Sequence, residues 1–300
     1  MANFTDVGLD LQNVMRRTYA NLLYRSTFFN FLNEQYIGDI RQAGTPAIEI
    51  LKNKKTTVNT RAQAEMLSTD KLDPALAGYD TVLVKLTELA MDYSFRIPVL
   101  VVGSNITNAI DEQIRLNDDE LVTKIDVYGY NKLATKITGD RTNGNTVYTT
   151  GTVVEWAPST KEDYISLLNN LKAQLFNLKV YDSYRLGLEA VEYGNLVSAL
   201  TSILKFETMA GVEGVDRGEV ARAYGIDIFQ IASSVLTNNE LGYFAHPIGT
   251  VGDTFFTDMV EYNGNYPGYP GYYCVEGNVL FGAEVVRPEA IIKLVSEISG

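Results

Sequence analysis

The 300 residues contain one cysteine, Cys274, and one histidine, His246. A lone cysteine excludes a disulfide framework, and the two together leave almost no material for a zinc cage or a Cys-His dyad. No apolar run approaches the roughly 20 residues that a membrane-spanning helix needs. The N-terminus carries Asp6 and Asp10 where a secretory signal needs positive charge, so the expected place is the cytosol or something assembled from it. GxSxG, a Walker loop, GxGxxG after a strand and HExxH are all missing, so no strong catalytic fingerprint is present. Positive charge is scarce as well: 25 Lys and Arg face 37 Asp and Glu, a net charge of −12. The first hundred residues balance 11 basic against 11 acidic side chains, whereas the last hundred hold 5 against 13. That surface repels nucleic acid and argues against specific binding to it.

With 46% hydrophobic residues the chain is globular, with one large domain or two modest ones. Its organising stretch is Ser104 to Ile137, where Ile110, Ile114, Leu121, Ile125, Tyr128, Leu133 and Ile137 form a stripe at helical spacing. Asn117, followed by Asp118, Asp119 and Glu120, has the spelling of a helix start. The expectation is a short helix, a break, and a longer helix of about 20 residues. Gly129 costs about 1 kcal/mol relative to alanine inside that helix. Either a neighbouring chain packs closely there or the helix bends, which makes Gly129 a candidate hinge.

Before this helix the period changes. Residues 9–35 begin helical and run into FFNFL, where Phe28, Phe29 and Phe31 pack either on the chain's own core or on a neighbouring subunit. AIEILK and TTVNT read as strands around a lysine-rich turn, and Asp80 to Ile97 is an 18-residue run of strand formers. Its alternations, Val82, Val84, Leu86 and then Tyr93, Phe95, mark one apolar face. Fully extended, the run would reach roughly 60 Å, beyond a compact domain of this size. It predicts a two-stranded arm lying on another copy of the chain; two ordinary strands with a kink are the competing reading.

Beyond the long helix, TNGN at 142–145 is a hairpin signal. Ser159 and Glu162 suggest a capping box for a helix through Leu178, and a strand from Tyr184 to Ala190 and a helix from Tyr193 to Phe206 follow. Tyr262 to Tyr273, YNGNYPGYPGYY, reads as a Gly/Pro/Tyr loop at a subunit contact or a sugar platform. Asp253 with Asp258, or Glu213 with Asp216, are carboxylate pairs that a hydrolase could use. His246, beside Pro247, reads as structural.

This order of parts resembles the major capsid proteins of tailed bacteriophages, which share the Hong Kong 97-type α+β fold. The resemblance is carried by FFNFL, IGDI, GTPAIEI, YDTVLVKL with MDYSFRIP, IDVYGYNKLATKI, RLGLEAVEYGNLVSAL, GEVARAYGIDIFQI and FGAEVVRPEAI, spanning roughly residues 28–292. It implies an N-terminal arm at 1–35 and an extended loop at 36–98. A peripheral domain with the spine helix would cover 99–179 and 273–300, and an axial domain 180–272. It further implies a non-enzymatic virion protein assembled in the host cytoplasm, without cofactor, metal or membrane. Such a chain joins copies of itself into pentamers and hexamers that form an icosahedral shell around double-stranded DNA, contacted non-specifically. Scaffolding and portal proteins, and in some cases decoration proteins, would be its partners. Phe28, Phe29, Phe31, Val82, Val84, Leu86, Tyr93 and Phe95 would be contacts between subunits. An encapsulin-like compartment shell is the alternative with the same fold, and a monomeric carbohydrate-active hydrolase the alternative from another class.

Overall fold

In the computed structural model the described residues are 11–33, 47–53, 79–85, 87–139, 151–201, 221–237, 239–256 and 260–296. Helix α1 (Leu11–Arg25) leads through a 3-10 turn at Phe28–Phe31 toward strands β1 (Ala47–Asn53), β2 (Tyr79–Lys85) and β3 (Leu89–Pro98). Helix α2 (Val99–Lys136) is a single element of 38 residues, roughly 57 Å at 1.5 Å per residue. The expected break at Asn117 does not occur. The helix starts instead after Pro98, whose fixed φ and missing N–H suit a helix start. Asp118 is then an interior position, and it is fully buried.

The 18-residue run is split too. β2 pairs with β1 in a two-stranded antiparallel ribbon, whereas β3 pairs with β11 (Tyr269–Val285), with the turn Thr87–Glu88 between them. The arm is therefore the β1/β2 hairpin, and β3 belongs to the body; because the two strands lie in different sheets, they are neither one arm nor two adjacent strands of a single kinked sheet. Met91, Tyr93, Phe95 and Ile97 alternate inward under α2, while Asp92, Ser94 and Arg96 face out. β9 (Thr250–Phe256) and β10 (Val260–Tyr266) complete this sheet against β11. The tyrosine-rich stretch is thus a β-hairpin rather than a loop, turning at Pro267–Gly268 with Gly268 at φ 85°.

A six-stranded sheet has the order β4 (Thr152–Glu155), β12 (Ile291–Val295), β8 (Glu240–Ala245), β5 (Tyr184–Glu189), β7 (Ile226–Ile231), β6 (Ala221–Ala223). Helices α3 (Lys161–Asn177) and α4 (Ala190–Thr201) cover one face through Leu168, Leu171, Leu175, Leu196 and Leu200. The box that starts α3 is Thr160 with Asp163, one residue beyond the expected Ser159 and Glu162. Hydrogen bonds from the side chain and backbone of Thr160, and then of Ser159, hold the Asp163 carboxyl below the usual range. At Gly242 the φ of 153° brings the backbone so near that a Cβ would lie 2.1 Å from the Gly187 carbonyl oxygen. Only glycine lets β5 and β8 meet there.

The sheets do not follow the boundaries drawn from the sequence. Strand β12 and helix α3, assigned with the spine helix, lie in or on the six-stranded sheet, and β9 and β10 join β3 and β11. Chain neighbours in sequence separate because β11 enters one sheet and β12 the other within six residues. The 142–145 hairpin signal and the tail of the helix expected to reach Phe206 lie outside the described residues.

The two sheets share a core. β7 is buried on both faces, with Ile226 and Ile228 toward the helices and Phe229 and Ile231 toward α2. Tyr130 of α2 stacks on Tyr243 of β8 with ring centroids 5.8 Å apart.

Candidate assembly site

The aromatic segment after α1 is a wedge inside this core. Phe28 meets Tyr130 edge-on at 5.7 Å and Phe281 at 6.3 Å, while Phe31 reaches Phe229 at 5.1 Å and Tyr243 at 6.4 Å. Phe28, Phe29 and Phe31 are 1%, 7% and 1% exposed, so the chain's own elements account for their burial. Within a single chain these three rings lie in the core. The physical reason is visible at Gly129: a Cβ there would sit 2.4 Å from Phe28 Cγ, so the glycine is where the ring nests against α2. Close packing accounts for Gly129 without a bend in the helix.

Two buried carboxylates of α2, taken for caps or passed over in the sequence, hold this segment down. Asp118 accepts from Asn21 Nδ2 at 2.6 Å and from the Tyr93 hydroxyl at 3.4 Å. Asp126 accepts from the Ser26 hydroxyl, from Thr27 N and Oγ1 at 3.2 and 3.0 Å, and from Phe28 N at 3.1 Å. Burial pushes both carboxyls above the usual range against these donors, led by Asn21 for Asp118 and Ser26 for Asp126. No sequence signal pairs residues about a hundred positions apart; only the spacing of eight between two acids on an apolar-striped helix hinted at a shared inward face.

The β1/β2 hairpin roots on the body through Ile50, Val84, Val251 and Val286, with Val82 half-buried beside them. Leu83 points the other way and is 50% exposed. Leu86 lies outside the described residues. Tyr93 and Phe95 sit in the core beneath α2, so they too face inward. Beside the root, Lys132 Nζ lies 2.6 Å from Glu88 and 2.9 Å from Glu284, and Lys136 lies 3.0 Å from Glu284. The Tyr128 hydroxyl also donates to Glu88. Burial is the largest influence on Glu88 and opposes its charged form, but the hydrogen bonds from Lys132 and Tyr128 and the nearby lysine charges together outweigh it and hold Glu88 below the usual carboxylate range. Lys132 is likewise raised against its burial by Glu88 and Glu284, and burial with the Glu88 bond pushes Tyr128 up to about 12.

Chemistry of a catalytic kind finds little support in the positions singled out for it. Asp253 is buried and accepts from Tyr19 and from its neighbour Thr254; Asp258, Glu213 and Asp216 lie outside the described residues. His246 accepts from Ile248 N through Nδ1, capping a short turn, as the structural reading expects. Among the described residues no three His, Cys, Asp or Glu side chains gather to hold a metal ion. An open cavity of about 290 Å³ is lined by Ser94, Phe95, Arg96, Tyr269, Cys274, Val275 and Glu276. There burial pushes the Cys274 thiol up, away from the thiolate a nucleophile needs, and Arg96 stacks 4.1 Å over Tyr269.

No family model and no curated protein matches this sequence. Solved structures do match its shape. One of Mycobacterium phage Che8 is 17% identical, covers 90% of this chain and 91% of its own, and superposes with a TM-score of 0.57. The capsid structure of the cyanophage P-SCSP1u is 14% identical, covers 85% of each chain and gives a TM-score of 0.57. The capsid of a native GTA particle is 14% identical over 86% of this chain and 90% of its own, with a TM-score of 0.56. The α+β fold expected from the sequence, that of tailed-phage capsid proteins, is the fold this chain adopts.

Proposed function

We propose that this chain is the major capsid protein of a tailed phage, a structural protein that assembles with copies of itself into pentamers and hexamers of an icosahedral shell around double-stranded DNA. The observation that carries the reading is the fold match along nine tenths of both chains with a phage structure, at a TM-score of 0.57. In this reading α1 and the aromatic wedge are the N-terminal arm, and the β1/β2 hairpin is the extended loop. The sheet under α2 is the peripheral domain, and the six-stranded sheet is the axial domain.

The hairpin is the part that asks for a neighbour. A two-stranded ribbon is marginal in water, and Leu83 lies on the face turned away from its root. Large interfaces between copies would cover such surfaces and make association obligate. The net charge of −12 suits a container whose wall must not grip its contents, since phosphates and carboxylates repel within about a Debye length. Scaffolding, portal and decoration proteins are the expected partners, and the virion the expected location.

Light scattering and electron microscopy of the purified full chain test this. Closed megadalton particles are the expected result. A lone 33.3 kDa species at every concentration and salt overturns it. Particles that enclose a cargo protein and take up no DNA would move the reading to a cellular compartment shell.

A further inference from the structure

Most ion pairs of α2 are ordinary surface pairs: Arg115 with Glu112 and Lys124 with Glu120 have side chains 48–67% exposed. The set formed by Glu88, Lys132, Glu284 and Lys136 differs. Glu88, Lys132 and Glu284 are only 28%, 20% and 13% exposed, Lys136 at 49% closes the set on the solvent side, and the charges alternate along a continuous chain. They also come from three elements. Glu88 is in the turn where the chain leaves the hairpin for β3, Lys132 and Lys136 are one turn apart on α2, and Glu284 is on β11.

We propose that these four side chains, with Tyr128, are a charge clasp that fixes the hairpin root against the spine helix and releases it when screened. The aliphatic root of Ile50, Val84, Val251 and Val286 gives attraction without direction, which permits the ribbon to pivot. The clasp supplies direction, because Lys132 must satisfy Glu88 and Glu284 at once within 2.6 and 2.9 Å. A network of alternating, partly shielded charges is the arrangement in which ion pairs contribute measurably. The clasp rests on the fold alone; its use during shell closure rests on the shell reading above.

Hydrogen exchange by mass spectrometry on the unassembled full chain tests it, reading peptides over 47–53 and 79–85. Glu88→Gln leaves both lysines on Glu284 and removes only the link to the hairpin. At low salt the variant is expected to exchange about five- to thirtyfold faster there, the factor that corresponds to one to two kcal/mol. In 1 M NaCl, where the screening length falls to about 3 Å, wild type should move toward the variant without reaching it, because the pairs are in contact and partly shielded; no shift with salt overturns the release. Glu112→Gln, which breaks an exposed pair on the same helix, should leave the hairpin unchanged. Equal exchange of wild type and Glu88→Gln at low salt overturns the clasp. So does an equal acceleration in α3, which would mean general destabilisation. If particles form normally while exchange is unaffected, the clasp falls and the shell reading stands; if no particles form but the hairpin is released as described, the reverse holds.

Discussion

Replacing Gly129 by alanine sets two effects of opposite sign against each other. Alanine in a helix interior gains about 1 kcal/mol over glycine. The new methyl, however, would fall 2.4 Å from Phe28 Cγ and Cδ1 and 2.5 Å from Cδ2. Those atoms surround the ring's root, so a rotation of its far edge brings no relief. The whole ring must retreat, and Tyr130 and Phe281 stand edge-on behind it. Overpacking of this kind costs about 1–3 kcal/mol, and a contact this short belongs at the upper end. A net loss of about 1–2 kcal/mol follows, which lowers the melting temperature by about 2–4 °C per kcal/mol for a chain approaching this size. Urea denaturation of unassembled protein would measure it, with Phe28→Ala as the second arm of a double-mutant cycle. Without the ring the methyl has room, so Gly129→Ala should turn neutral or stabilising in that background. A loss as large with Phe28 absent as with it present would refute the packing account, and so would a gain in the wild-type background.

Three further outcomes are expected. Asp126→Asn keeps the shape but turns an amide NH2 toward either the Thr27 donors or those of Ser26 and Phe28, and should cost about 1.5–3 kcal/mol in urea denaturation; a change under about 0.5 would remove Asp126 as the anchor of the wedge. Asp118 titrates above its ordinary 3.8 because it is buried, so its proton is held more tightly folded than unfolded. It therefore contributes stability below 3.8 that is lost as pH rises through the folded value, and Asp118→Asn should flatten the fall in stability as pH rises above 3.8. Identical pH profiles for the two proteins would contradict this. Deleting Gln63 to Ala77, which lie outside the described residues, should leave soluble protein that forms no closed shells; normal particles in the microscope would take the hairpin tip out of assembly.

The legible parts of the fold were those whose signal is local. Of the helical stripe, Ile114, Leu121, Ile125, Leu133 and Ile137 are buried and Tyr128 is half-buried, and Tyr93, Phe95 and Ile97 alternate inward as spelled. Misreadings came where one spelling serves two structures. Asn-Asp-Asp-Glu starts a helix in one context and, with Asn21 and Tyr93 beside it, places a buried anchor within one in another. Ser-Thr-Lys-Glu-Asp contains two overlapping capping boxes, and only the backbone shows that Thr160 and Asp163 form the one used. The turn at Thr87–Glu88 carries neither glycine nor proline, so nothing local announces that two strands of different sheets meet there. The clasp was illegible for another reason: Glu88 and Glu284 are close only because β3 and β11 run side by side.

The wedge bears on where association can draw its energy. Burying an aromatic or aliphatic side chain is worth about 1.5–3 kcal/mol, and it can be counted once. Phe28, Phe29 and Phe31 have already given it to the junction of the two sheets, where Arg185 donates to the Asn30 carbonyl and the Thr250 hydroxyl to that of Phe31. This aromatic segment therefore makes one body of the α2 sheet and the six-stranded sheet, and has little left to offer another copy. On the proposed reading, contacts between copies must draw on what stays outside, which among the described residues includes the hairpin's Leu83 face as well as exposed side chains elsewhere such as Phe176 and Val191. An assembly built that way holds its subunits rigid and its arms adjustable, so the angle at which each hairpin leaves its root becomes the quantity that decides whether neighbours fit.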